Sequence, residues 1–186
     1  SGPGGTFLNA VTFASPIAFA ATMAARPSDG MMFYLDSAGA NPNLWRWDPN
    51  NPSLAPVLVG TTGIGSTLVV RLAFDAGGTL YAMDGGSTFL YTLNAATGAV
   101  ISQTPTSGPA LPTPAGGDIC FQPGTGTMYM VAGTQLYSVT TSAVITAVGG
   151  GTGIVSGLPG SMTGCAFDRS GNLVVSPSTS LYRVNI

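Results

Sequence analysis

The side chains able to carry chemistry are few in number and in type. All seven acids are aspartates, all five bases are arginines (Arg26, Arg46, Arg71, Arg169 and Arg183), and there is no histidine. Without histidine the usual general base, the usual activator of a nucleophile and the commonest metal ligand are missing together. A Ser-His-Asp triad or a His-containing zinc site cannot be built, and the two cysteines fall short of a four-thiolate zinc site. Aspartate chemistry remains. Asp75 and Asp168 occupy equivalent turn positions, and Asp36 and Asp84 follow equivalent apolar runs. Such carboxylates could ligate calcium or form a catalytic pair if they converged. The same residues within hairpin turns bond backbone amides, and recurrence at one repeat position favours that structural use.

Two further groups stand out. Cys120 and Cys165 stand one and two residues before Phe121 and Phe167 in equivalent segments. Side chains one residue apart in a strand point to opposite sheet faces, so these thiols can meet between two stacked sheets. A bridge there would close a loop of about 45 residues and stabilise by roughly 3–4 kcal/mol; the alternative is a pair of buried free thiols packed as small apolar groups. Trp45 and Trp47 share one strand face and leave Arg46 on the other. With Tyr34, Tyr91, Tyr137 and Tyr182 they could form a platform for sugar rings, or they pack between sheets.

The composition narrows what can position these groups. Charged residues make up only 6% of the 186-residue chain, whereas 45% is hydrophobic, with 27 Gly and 14 Pro. Strong helix formers are scarce and helix breakers abundant, which favours an all-β chain rich in turns. Disorder is disfavoured, because disordered chains are poor in apolar residues and rich in charge. A net charge of −2 lacks the basic footprint that nucleic acids require. The nearly uncharged segment 7–25 contains Pro16 and polar residues and has no basic stretch before it, so it reads as strand and not as a membrane span.

The decisive feature is an internal repeat. A leucine-aromatic pair followed by an alternating apolar position recurs at Leu44-Trp45, Leu90-Tyr91, Leu136-Tyr137 and Leu181-Tyr182, with spacings of 46, 46 and 45 residues. A second apolar run precedes each pair: Met32–Leu35, Leu80–Met83, Met128–Val131 and Leu173–Val175. Before the last three of these runs stand Leu72–Asp75, Ile119–Phe121 and Cys165–Asp168. Ala99–Ile101 and Ala143–Ile145 supply a fourth run after the leucine-aromatic pair. Four short strands in a repeat of roughly 40–50 residues define a β-propeller blade. The expected domain is a single all-β propeller of four four-stranded blades over residues 21–63, 64–110, 111–155 and 156–186, preceded by an N-terminal segment 1–20. The glycine- and threonine-rich stretches 61–65 and 151–155 then read as connections between blades.

The last unit ends directly after its third strand. The segment Ala10, Val11, Thr12, Phe13 and Ala14 echoes the fourth strands of other units, so it is expected to complete that blade, within one chain or from a neighbouring one.

The stretch Leu90-Tyr91-Thr92-Leu93-Asn94-Ala95-Ala96-Thr97-Gly98 resembles quinoprotein-type and YVTN-type propeller repeats of bacterial secreted proteins. The resemblance recurs in weaker form in all four units. It implies blades and a secreted protein; it implies no particular activity. Ser102 and Thr146 stand near where quinoprotein repeats carry a docking tryptophan, and their cofactor site is not carried over. No cofactor, metal, nucleic acid or membrane span is therefore expected. The leading functional expectation is a non-enzymatic extracellular module that assembles with itself into an oligomer or cell-surface fibre by strand complementation. A glycan-binding adhesin using Trp45 and Trp47 is the alternative, and a polysaccharide lyase or glycosidase working through aspartates the weakest.

Overall fold

The computed structural model describes residues 20–36, 41–65, 69–86, 88–112, 116–149, 160–177 and 180–186. These residues form a β-propeller of four antiparallel blades. Blade I comprises β1 (Ala20–Ala25), β2 (Met32–Asp36), β3 (Asn43–Trp47) and β4 (Val57–Thr61); blade II comprises β5 (Val69–Phe74), β6 (Leu80–Asp84), β7 (Phe89–Leu93) and β8 (Val100–Pro105). Blade III comprises β9 (Asp118–Phe121), β10 (Met128–Ala132), β11 (Gln135–Val139) and β12 (Ile145–Ala147); blade IV comprises β13 (Met162–Phe167), β14 (Leu173–Pro177) and β15 (Tyr182–Val184). Each blade pairs its strands in sequence order, as hairpin connections dictate. The expected connection 61–65 is shorter by one residue: Thr61 ends β4, and residues 62–65 lead on to blade II with Ile64 buried between blades I and II. Segment 151–155 and the candidate closing strand at Ala10, Val11, Thr12, Phe13 and Ala14 lie outside the described residues.

The register makes the four repeats superimposable position by position. Ala25, Phe74, Phe121 and Phe167 all lie opposite the first residue of the next strand (Met32, Leu80, Met128 and Leu173). The first inner strand has alanine where the other three have phenylalanine, and so its apolar run is hard to recognise in the sequence.

Alternation then decides which side chains face which neighbour. Where two blades adjoin, one face of the first meets the opposite face of the second. Three apolar cores result. Ala24, Phe33, Leu35 and Leu44 of blade I pack with Leu72, Phe74, Leu80 and Tyr91 of blade II. Ala73, Tyr81, Met83 and Leu90 of blade II pack with Ile119, Met128, Met130 and Tyr137 of blade III. Cys120, Val131 and Leu136 of blade III pack with Met162, Leu173 and Val175 of blade IV.

The inner strands β1, β5, β9 and β13 lie side by side in that order. Among the described residues β13 does not pack along β1 as the other successive inner strands do, and no fourth core joins blade IV to blade I.

One close approach explains a glycine in the repeat motif. Gly98 ends the turn between β7 and β8 with φ +84°, and a Cβ built there would stand 2.7 Å from the carbonyl oxygen of Gly60 in β4. A side chain at either glycine would push blades I and II apart.

Candidate functional site

The turn aspartates are occupied by their own hairpins. The Asp75 carboxylate accepts from Thr79 N at 2.8 Å, between β5 and β6. Asp168 accepts from Ser170 N and Asn172 N, both at 2.9 Å, and from the Asn172 amide. Those amides hold the Asp168 carboxyl below the usual carboxylate range, the Asn172 backbone contributing most. Asp36 accepts from Asn43 N at 2.8 Å and from the Trp45 indole N–H at 2.8 Å. Asp84 accepts from Thr88 N at 2.9 Å and from its hydroxyl. The structural use of these residues is the one the geometry displays. Among the described residues no cluster of three potential metal ligands occurs.

Cys120 and Cys165 form a disulfide, with Cα atoms 6.0 Å apart. They lie on facing surfaces of blades III and IV, as alternation requires.

A polar layer that sequence reasoning missed lies at the start of the inner strands. Thr22, Arg71, Asp118 and Gly164 lie opposite Leu35, Met83, Val131 and Ser176, so they share one repeat position. In β1, β5 and β13 the register slips just before this position. Arg71 is fully buried. Its guanidinium donates to the carbonyl oxygens of Asp84 at 2.8 Å and Gly116 at 2.9 Å, tying blade II to the entry of blade III. Burial lowers its pKa to about 10 against the opposing attraction of Asp118 and Asp84.

Asp118 accepts from its own neighbour Ile119 N at 2.9 Å and from Cys165 N at 3.2 Å, which ties blade III to blade IV. Desolvation pushes its carboxyl up to about 7, although both amides and Arg71 pull it down. A carboxyl that titrates near neutrality suits proton transfer. Here each of its oxygens already accepts an amide proton, and its evident work is to join blades. The signal in the sequence was a charge interrupting an apolar inner strand, at Arg71 in Val69–Phe74 and at Asp118 heading Asp118–Phe121.

The aromatic candidates separate into two roles. Trp45 stacks on Tyr34 with ring centroids 6.3 Å apart and planes 4° from parallel, its indole N–H engaged by Asp36. Burial, with Asp36 nearby, pushes the Tyr34 phenol up to about 12. Trp47 lines a cavity of about 300 Å3 together with Arg26, Asp29, Arg46, Asp48 and Leu54. Asp29 receives both Arg26 Nε at 3.0 Å and Arg26 Nη2 at 2.5 Å. An aromatic face ringed by carboxylates and guanidinium groups can hold a polyhydroxylated ring by stacking and hydrogen bonding.

No family model matches the sequence, and neither does any curated protein. Solved structures do. The chain is similar to a Bacteroides thetaiotaomicron protein of unknown function with TM-score 0.68 and 18% identity, over 88% of this chain and 44% of that one. It is similar to a gluconolactonase from Xanthomonas campestris with TM-score 0.57 and 17% identity, over 84% and 53% of the two chains. It is also similar to virginiamycin B lyase from Staphylococcus aureus with TM-score 0.57 and 9% identity, over 88% and 54%. At these identities the likeness concerns the fold. The chain spans about half the length of each of these structures.

Proposed function

We propose that this propeller is a non-enzymatic structural and interaction module that assembles with itself outside the cell, with strand complementation as the mechanism. The observation that carries this reading is the three-stranded blade IV: the outer edge of β15 has no partner among the described residues, whereas the other three blades have four strands each. An open edge presents a row of unpaired amides and carbonyls, which an added strand satisfies. The Cys120–Cys165 bridge supports an oxidising compartment. The low charge supports self-association, since little repulsion keeps copies apart.

The test is to delete residues 1–15 and to compare particle mass by light scattering, and melting temperature, with the parent chain. Loss of assembly or a lower melting temperature is the expected result. A truncated chain that assembles and melts like its parent would remove strand complementation.

The cavity at Trp47 favours glycan binding as a second reading. A glycan array probed with the parent and with Trp47→Ala separates the two. Hits that vanish in the variant support a lectin, and a blank array counts against one.

A further inference from the structure

The free face of blade IV is built like an interior surface. Leu44, Leu90, Leu136 and Leu181 hold one repeat position, and the first three are covered by the following blade. Their exposures are 0%, 2% and 2%, whereas Leu181 is 75% exposed. Ala166 lies opposite Val174 as Cys120 lies opposite Tyr129 and Ala73 opposite Tyr81, yet Ala166 is exposed and the other two are buried. An apolar-walled cavity of about 240 Å3 opens between Ala166, Val174 and Leu181. In blades I to III the same positions are filled by contact with the next blade.

The surface that covers this face elsewhere in the molecule is the forward-facing side of the next repeat, and on blade I that side is not packed against a blade: Met23 lines, with Cys165 and Ala166, a cavity of about 230 Å3 between the four inner strands. On blade I, Met23 lies opposite Tyr34 as Leu72 lies opposite Ala82, Ile119 opposite Met130 and Cys165 opposite Val175. Those three residues fill inter-blade cores, whereas Met23 is 57% exposed. On the same side of blade I stand Trp45 and Trp47, where later blades place Tyr91, Tyr137 and Tyr182, and Leu93, Val139 and Val184. Blade I therefore offers the complement of the face that blade IV leaves open, but blade IV of the same chain does not pack on it.

We propose that the occupant of each free face is a second copy of this chain. Blade IV of one copy receives blade I of its partner, and blade IV of the partner receives blade I of the first, so that two four-blade arcs close a single ring. Both seams are then identical and repeat the contacts already seen between blades III and IV. A two-fold axis along the ring's centre relates them, and the head-to-tail contact closes without generating a fibre. The chain matches about half of each of several longer propeller structures, so four blades of this kind also occur as part of a larger ring. The inference rests on the self-assembly reading above but names a different surface: apolar faces, not the edge of β15.

The repeat itself designs the test. Ala166 holds the position of Cys120, and Met23 that of Cys165. The double variant Met23→Cys/Ala166→Cys therefore places at the proposed seam the geometry of the native bridge. On oxidation, intact mass spectrometry and non-reducing electrophoresis are expected to show a covalent species of twice the 18.6 kDa chain mass, with both engineered thiols consumed. In parallel, Leu181→Asp is expected to convert a dimeric parent to monomer in light scattering at equal concentration, with the far-ultraviolet dichroism unchanged. A bridge formed within one chain would show that four blades close by themselves. A ladder of higher species would show an open fibre, and engineered thiols that stay free would show no seam. Any of these overturns the two-copy ring. If the seam fails while deletion of residues 1–15 still lowers the particle mass, strand complementation survives alone; if the parent is a monomer throughout, both readings fall.

Discussion

Removing the Cys120–Cys165 bridge is the most informative single perturbation of stability, because blade IV has a described neighbour on one side only. The bridge spans 45 residues of sequence. On the chain-entropy account a loop of that size costs the unfolded ensemble about 4 kcal/mol. A chain of this length exposes enough surface on unfolding for a urea m-value of roughly 2–3 kcal/mol/M. The double variant Cys120→Ala/Cys165→Ala should therefore unfold at a urea midpoint lower by about 1.3–2 M. Repeat proteins couple mainly through nearest-neighbour interfaces, so the loss should be uneven. Hydrogen exchange is expected to accelerate first at the amides of β13, β14 and β15, held by Cys165 and by packing on Cys120, Val131 and Leu136. Blades I and II should keep the parent's protection until global unfolding. The measurements are urea titration followed by far-ultraviolet circular dichroism, which reports the strands of all four blades, and exchange read by mass spectrometry with peptide resolution. An unchanged midpoint, or exchange that quickens uniformly across all four blades, would refute the claim that this bridge anchors a terminal blade.

Two other perturbations test the polar layer and the repeat turn. The Asp118 carboxyl keeps its proton up to about pH 7 in the folded chain, whereas an unfolded aspartate releases it near about 3.9. Between those values the native state binds more protons than the unfolded one, so this group lowers stability as pH rises from 4 to 7 and has no further effect above 7. Asp118→Asn keeps one acceptor oxygen for the two amides of Ile119 and Cys165 and loses the other at every pH, so its melting temperature relative to the parent is expected to be higher at pH 7.5 than at pH 4.5; a difference equal at both values contradicts the desolvated carboxyl. Asp48 and Asp168, held low chiefly by the Asn51 side chain and the Asn172 backbone, act in the opposite sense, their contribution being lost below about pH 4. Gly98→Ala should cost roughly 1–3 kcal/mol, for a strained positive φ and for the clash with Gly60. A variant as stable as the parent in chemical denaturation would mean that β4 and the turn can part freely.

Much of the architecture was legible because the chain states it four times. The leucine-aromatic pairs mark the period, the glycine-rich turns mark the strand ends, and alternation allows Cys120 and Cys165 to meet between blades, as they do. The first inner strand was not legible, since Ala20–Ala25 carries alanine where its counterparts carry phenylalanine and the period therefore has nothing to mark. Arg71 and Asp118 were missed for a different reason. Their role depends on a register slip and on carbonyl and amide groups brought in from a neighbouring blade, at Gly116 and Cys165, and spacing along one strand does not encode either. Alternation along β3 puts Trp45 and Trp47 on one face. Only the arrangement of β2 against β3 shows that one is stacked on Tyr34 while the other lines a cavity.

A repeat protein contains its own controls, and here they measure what surrounds it. Leu44, Leu90 and Leu136 lie within paired strands and are covered by the following blade, whereas Leu181 stands just ahead of β15, on the blade with three described strands, and is exposed. Repeat units whose faces meet solvent need polar outer surfaces; at Met23 and Leu181 this chain carries the apolar residues of an interior repeat. With charge limited to 6% of residues, little else on the surface would oppose contact between those two positions. Capping and joining require opposite side chains at these sites, and the side chains present are those that join.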